Sequence, residues 1–155
     1  MVGLDALEKV EILGGLDDRR LSAVSDCCSE TQFQRGDKIF GSGEEARYLY
    51  AVKEGKIELR ADLQSPSQEN VLQENSVFGW PSLIAPNVYR FSAYSASRIA
   101  KVIQIDAACL KGLFEKEPEF GYIIMSRVLE IIGRRFHLLQ EEVVKRRGQD
   151  AMNRW

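Results

Sequence analysis

The chain has 155 residues and a formal net charge of −2 at pH 7. This length suits one domain with a buried core, and the ordinary globular composition excludes a disordered or low-complexity chain. The charge argues against a chain devoted to nucleic acid, because phosphate binding needs clustered lysine and arginine.

The N-terminal segment and the cysteines bear on the compartment. Four charged residues within Met1–Leu13 exclude the apolar core of a signal peptide, and no apolar run is long enough to span a bilayer. Cys27 and Cys28 are adjacent, which prevents an ordinary bridge between them, and the three cysteines with Cys109 match no zinc spacing. We predict that the three cysteines are small buried hydrophobic residues of a protein in a reducing, cytoplasmic setting. A redox role for them is the alternative.

Residues 1–30 are predicted to form two short helices. Leucines at near-helical spacing indicate an amphipathic helix over Leu4–Leu13, which Gly14-Gly15 ends. Asp17 is a suitable N-cap for a second helix that ends near residues 28–29.

Residues 31–105 are predicted to form a β roll or sandwich. From Gln32 the apolar period changes to short alternating segments, and the last of them covers residues 90–105. Turn signals lie at residues 35–37, 42–44 and 54–56, and Asp62–Asn70 is predicted to be an exposed hairpin loop. Regularly spaced short strands of this kind are typical of all-β domains.

Residues 106–147 are predicted to be helical, and residues 148–155 a tail, so that residues 1–155 form a single domain. Asp106 is a candidate N-cap for a short helix, which Pro118 ends. A long final helix is then predicted from about residue 119 to residue 147.

This final helix has two apolar stripes. One follows the 3.5-residue spacing of a coiled-coil seam and comprises Met125, Leu129, Ile132, Phe136, Leu139 and Val143. The other comprises Ile124, Val128, Ile131 and Leu138. Because a surface helix needs only one stripe, the pattern predicts that one packs on the domain and the other on a second copy of the chain. A single wide face that packs on the roll is the alternative.

A framework of glycines and apolar residues carries a family resemblance. It reads Phe33-x-x-Gly36-x-x-Ile39-Phe40-x-x-Gly43-Glu44-x-Ala46-x-x-Leu49-Tyr50-x-Val52-x-x-Gly55-x-Ile57-x-Leu59. It resembles the cyclic nucleotide-binding domain of the catabolite activator protein superfamily. The resemblance implies a mainly β fold: a jelly roll with flanking N-terminal helices and a long C-terminal helix that forms the dimer interface. It places the family's phosphate-binding cassette at Phe78-Gly79.

The cassette departs from the family pattern at the residues that hold a cyclic nucleotide. Where the family has a glutamate for the ribose, this chain has Trp80, and Phe91 aligns with the phosphate-binding arginine. Arg90 lies one residue earlier, which in a strand points a side chain to the opposite face. The candidate ligand-binding residues are Phe78, Gly79, Trp80, Ser82, Leu83, Arg90, Phe91, Ser92 and Ala93. Trp80, Phe91 and Tyr94 are expected to line or fill the site with aromatic surface.

The sequence therefore predicts a non-enzymatic, dimeric sensor or regulatory domain that does not bind cyclic AMP or GMP tightly, with no certain cofactor. A small-molecule effector and a protein partner are expected, but the sequence identifies neither of them. One alternative is a ligand-free dimerising interaction module; another is a cyclic nucleotide binder that uses Arg90 in a shifted register. The single His137 cannot build a metal or catalytic site alone. The residues after 147 are too few for a helix-turn-helix, so direct DNA binding is not expected.

Overall fold

The computed structural model describes residues 2–61 and 70–153, and its account of side chains leaves out residues 139 and 149–153. The predicted hairpin loop therefore lies almost entirely outside the described residues, as does the side chain of the predicted seam residue Leu139. In the described part, no helix is both long enough and apolar enough to cross a membrane.

The N-terminal part contains helices α1 (Leu4–Glu8) and α2 (Asp18–Ser25). The predicted N-cap is confirmed, since the side chain of Asp17 accepts a hydrogen bond from the Arg20 amide at 2.9 Å. Helix α1 is shorter than predicted. The chain leaves the helix because the Glu11 amide donates to the carbonyl of Asn75 on the roll.

Within residues 2–61 and 70–153, eight strands form the β roll: β1 (Cys28–Gln34), β2 (Lys38–Phe40), β3 (Tyr48–Glu54), β4 (Ile57–Arg60), β5 (Val71–Leu72), β6 (Val77–Phe78), β7 (Ser92–Ser95) and β8 (Ile99–Asp106). They make two antiparallel four-stranded sheets, ordered β1-β8-β3-β6 and β2-β7-β4-β5. The first strand begins at Cys28 rather than at residue 31, because β8 pairs with it from Cys28 opposite Ile105 onward.

Two apolar cores lie on either side of the first sheet. One core fills the space between the two sheets and contains aromatic residues from β2, β3 and β6. The other lies between the first sheet and the helices, and includes Leu7, Leu21, Ile105 and Phe120. The mainly β roll with flanking helices is therefore confirmed.

Helices α3 (Ala107–Lys116) and α4 (Pro118–Asn153) complete the chain. The side chain of Asp106 accepts a hydrogen bond from the Cys109 amide at 2.9 Å, which confirms the predicted cap of α3. Helix α4 continues six residues past the predicted end at residue 147. Just before this extension, Glu142 and Arg146 form an i,i+4 ion pair along the helix.

The prediction that all three cysteines are unpaired is wrong for two of them. Cys27 and Cys109 form a disulfide, with their Cα atoms 5.6 Å apart and 82 positions apart in sequence. Cys27 immediately precedes β1, and Cys109 lies in the first turn after β8, so the pairing of β1 with β8 brings them together. Cys28 remains a free, half-buried thiol. The cysteines therefore no longer support the prediction of a reducing compartment.

Candidate functional site in the cassette loop

The loop that joins β6 to β7, residues 79–91, is the candidate site and is called the cassette loop below. It begins at Gly79, whose φ of +86° lies in the left-handed region that favours glycine. A Cβ at this position would lie 2.9 Å from the Tyr48 carbonyl oxygen. The short 3-10 helix Trp80–Ser82 follows, and the buried Ser82 hydroxyl donates to the Gly79 carbonyl at 2.7 Å.

Asn87 closes the cassette loop on itself. Its backbone adopts φ +59°, a conformation that asparagine tolerates better than most residues. Its side-chain amide donates to the carbonyls of Pro81 and Ser82, at 2.9 and 3.2 Å. Sequence reasoning missed this residue, although the Pro86-Asn87 pair is a turn signal.

Main-chain hydrogen bonds attach the cassette loop to residues 43–46. The Gly43 amide donates to the Tyr89 carbonyl at 2.8 Å, and the Tyr89 amide donates to the Glu44 carbonyl at 3.0 Å. The Ala46 amide donates to the Asn87 carbonyl at 2.7 Å. The second half of the loop is therefore bonded along an adjacent segment of the roll rather than standing open.

Four aromatic rings fill the space between the sheets beneath this loop. Tyr89 stacks on Phe40 with ring centroids 3.7 Å apart and an interplanar angle of 11°, and Tyr50 stacks on Phe78 at 5.1 Å. The Tyr89 hydroxyl donates to the Tyr48 carbonyl at 2.7 Å. Burial raises the pKa of both Tyr50 and Tyr89.

Sequence reasoning expected different rings in this place. Trp80 instead packs partly buried against the helical core, and Phe91 is 45% exposed. Tyr94 lies half-buried, with the Arg60 guanidinium 4.7 Å from its ring centroid. Tyr89 was not singled out because its neighbours Arg90 and Phe91 carried the comparison with the family pattern.

The remaining candidate residues divide between the interior and the surface. Phe78, Gly79, Ser82, Leu83, Ser92 and Ala93 are buried. Arg90 is exposed, and its guanidinium makes no hydrogen bond or ion pair with the residues that the structure describes. Strand β7 begins only at Ser92, so Arg90 and Phe91 precede it and strand alternation does not fix where they point.

The cassette loop also contacts α4. The guanidinium carbon of Arg135 lies 5.5 Å from the centre of the Trp80 ring. The same arginine donates to the Val77 carbonyl at 3.0 Å and lies 3.7 Å from the Glu11 carboxylate. Burial lowers the pKa of Arg135. A movement of Trp80 would therefore disturb a half-buried cation on α4.

The two predicted stripes of α4 differ in burial. Ile124, Val128 and Ile131 are buried in the helical core, whereas Leu138 is exposed. Of the predicted seam, Met125, Leu129, Phe136 and Val143 are exposed and Ile132 is half-buried. Leu129 is 70% exposed and Phe136 59%. Both lie on a face of α4 that the described part of this chain leaves uncovered.

His137 is exposed on α4. Within residues 2–61 and 70–153, no group of three or more histidine, cysteine, aspartate or glutamate side chains is arranged to hold a metal ion.

The chain thus combines a two-sheet β roll, a short helical loop between β6 and β7, and a long C-terminal helix. The sequence model of the cyclic nucleotide-binding domain family matches residues 30–117, more than half of the chain. The chain therefore belongs to the cyclic nucleotide-binding domain family.

Curated relatives contain this domain within longer proteins. Human cGMP-dependent protein kinase 2 is 29% identical over 107 residues, which are 67% of this chain and 13% of the kinase. The alpha subunit of the cone photoreceptor cyclic nucleotide-gated channel of Gallus gallus is 29% identical over 93% of this chain and 20% of the channel. A CRP-like cAMP-activated global transcriptional regulator of Mycobacterium tuberculosis is 23% identical over 84% of this chain and 57% of that regulator. The chain thus spans a small part of the kinase and of the channel.

Solved structures share the fold. A protein of Geobacter metallireducens GS-15, provisionally assigned as cyclic nucleotide-binding, is 26% identical and superposes with a TM-score of 0.77. That match covers 88% of this chain and 100% of the other. The catabolite activator protein of Thermus thermophilus, 18% identical, has a TM-score of 0.68 over 86% of this chain and 61% of its own.

Proposed function

We propose that this chain is a non-enzymatic regulatory domain whose nucleotide pocket is closed by its own side chains, and that it acts through α4. The observation that carries the proposal is the position of Tyr89, stacked on Phe40 at 3.7 Å with its hydroxyl bonded to the Tyr48 carbonyl. A residue of the cassette loop itself fills the space between the sheets, where small-molecule ligands of β rolls bind.

The chemistry of the cassette loop supports the same proposal. Trp80 and Phe91 stand at the positions where the family pattern has its ribose-binding glutamate and phosphate-binding arginine. A hydrogen bond to a charged group contributes about 1.5–3 kcal/mol, so the absence of both groups lowers affinity by about two to four orders of magnitude. Arg90 is exposed beside the loop and does not replace them.

The proposal extends to a homodimer through the exposed face of α4 and to a protein partner that reads the state of this helix. It also places the domain in the cytoplasm, in keeping with a relative that is a transcriptional regulator. It does not include kinase or channel activity, which belong to relatives of which the chain covers only a part, nor direct DNA binding.

Calorimetric titration of the full chain with cyclic AMP and cyclic GMP tests the proposal. We expect no heat of binding up to millimolar nucleotide, because Tyr89 occupies the pocket and both charged partners are absent. The triple variant Trp80→Glu, Tyr89→Ser and Phe91→Arg restores the two charged groups and removes the ring, so it should gain measurable affinity.

The matched control is Tyr122→Ser, which removes an exposed tyrosine of α4 and should bind no better than the original chain. Binding of either nucleotide by the unmodified chain at micromolar concentration would refute the closed pocket. If the triple variant does not fold, this first titration still decides the question, because it needs no substitution.

A further inference from the structure

The two cysteines of the Cys27–Cys109 disulfide differ in solvent exposure. Cys27 is only 7% exposed, whereas Cys109 is exposed in the first turn of α3. A cleft of about 350 Å³ lies beside the bond. The residues that line it include both bonded cysteines, Cys28, Tyr48, Asp26 and Asp106. A small molecule can therefore reach this disulfide from the side of Cys109.

The neighbouring free thiol does not serve as an internal nucleophile. The Cys28 thiol donates to the Val24 carbonyl at 3.1 Å. Burial raises the pKa of Cys28 to about 12, so this thiol keeps its proton near neutral pH. Because the thiolate is the attacking species in disulfide exchange, a thiol that opens this bond has to come from outside the chain.

We propose that Cys109 is a thiol–disulfide exchange site for small uncharged or cationic thiols that enter this cleft. The incoming thiolate attacks the sulfur of Cys109, the more exposed of the two bonded residues, a new bond forms between the two sulfurs, and the Cys27–Cys109 bond breaks. The electron pair of the broken bond leaves with the Cys27 sulfur, which then takes a proton from solvent. Attack on Cys27 is disfavoured because access controls which sulfur reacts.

The charges of the cleft determine which thiols enter. Two aspartates, Asp26 and Asp106, lie on its walls, and among the residues that the structure describes no lysine or arginine lines it. An anionic thiol is repelled by these groups, while a thiol that carries an ammonium group is attracted. Salt should weaken this preference, since Asp26 is exposed.

Exchange at Cys109 would release α3 from the start of β1. Helix α3 in turn packs on α4, where the Phe114 and Phe120 rings meet edge to face with centroids 5.7 Å apart. A Cβ on Gly121 would lie 2.9 Å from the Phe114 Cβ, so the two helices approach closely there. Opening the disulfide should therefore loosen the contact that holds the base of α4.

The full chain, purified without reductant, is incubated separately with cysteamine and with 2-mercaptoethanesulfonate, quenched in acid, alkylated and digested with trypsin. Cleavage places Cys109 in the peptide of residues 102–111 and both other cysteines in that of residues 21–35. We expect the thiol adduct on the first peptide and an alkylated Cys27 on the second. The rate of each thiol with the protein is divided by its rate with free cystine. At low salt this ratio should be several-fold higher for cysteamine than for 2-mercaptoethanesulfonate.

The Cys28→Ser variant is the matched control and should form the same adduct, since its disulfide is intact. Three alkylated cysteines before any thiol is added, no adduct, or an adduct on residues 21–35 alone would overturn the proposed site. Equal relative rates for the two thiols would overturn the selection by charge.

Hydrogen exchange of α3 amides should accelerate in the adduct, and unchanged exchange would refute the link to α4.

Discussion

At the scale of single residues, the backbone of Gly79 and the ring of Tyr89 determine how the cassette loop is held. Gly79 starts the loop in the left-handed region, close to the Tyr48 carbonyl, and Tyr89, near the end of the loop, has a buried ring whose hydroxyl donates to the same carbonyl. Tyr48 of β3 thus contacts the loop at both of these positions. The loop is held by specific contacts and not by apolar burial alone.

Replacing Gly79 with alanine should lower the free energy of unfolding by about 1–3 kcal/mol, because the new Cβ meets the Tyr48 carbonyl oxygen at a positive φ. Urea unfolding followed by circular dichroism measures the change. The matched control is Gly112→Ala within α3, where a Cβ meets nothing within 4 Å. There the free energy of unfolding should rise by about 0.5–1 kcal/mol. Equal effects at both positions would contradict the assigned contact.

At the scale of elements, α4 connects the cassette loop to a surface that the described chain leaves open. Its buried stripe packs on the helical core, Arg135 contacts the cassette loop, and Leu129 and Phe136 face outward. Arg127 also fixes the helix to the N-terminal segment, by donating to the carbonyls of Ile12 and Gly14 at 3.0 and 2.7 Å. Self-association through the outer face would therefore act on the same helix that contacts the loop.

The substitution Leu129→Glu should shift the chain from dimer to monomer in sedimentation velocity at micromolar concentration, because it places a charge in an apolar seam. The monomer itself should lose little stability, since Leu129 is mostly exposed. Glu130→Gln, an exposed neighbour, should leave the sedimentation coefficient unchanged. A monomeric unmodified chain would disprove the dimer, whatever the variants do.

At the scale of the whole molecule, the first sheet separates two cores with different contents. The core between the sheets holds the stacked aromatic rings, and the core beneath the helices holds mainly aliphatic side chains. Burial raises the pKa of Tyr50 and Tyr89 in the first core and of the half-buried Cys28 at the edge of the second. The folded state therefore holds these groups neutral to a higher pH than the unfolded chain does.

Stability should therefore fall at alkaline pH. A group whose pKa is higher in the folded state stabilises fully below its unfolded pKa, and this contribution is lost as pH rises through the folded pKa. For Cys28 the loss begins near the ordinary value of 9.0 and extends to about 12. Urea unfolding at a series of pH values should show the decrease from about pH 9, and in Cys28→Ser only from about pH 10, where tyrosines begin to ionise. A stability that rises between pH 9 and 11 would contradict these shifts.

Much of the fold was predictable because its signals are local. The caps Asp17 and Asp106 and the break between the last two helices near Pro118 were identified from residue type and neighbours, and all three are confirmed. The length of α1 was not, because Glu11 leaves the helix to bond to Asn75, a contact between distant segments. The place of the candidate site was predicted, but the ring that fills it was not, since stacking of Tyr89 on Phe40 depends on where two loops meet.

By itself, the sequence determined the family framework, the succession of helices and strands, and the absence of a glutamate and an arginine from the cassette positions. These features follow from residue types at short, fixed separations, which can be identified in the linear sequence. Only the tertiary structure decided that Cys27 is bonded to Cys109 and that Tyr89 closes the space between the sheets. Both depend on strand pairing and loop contacts between segments far apart in the chain, which local spacing does not encode.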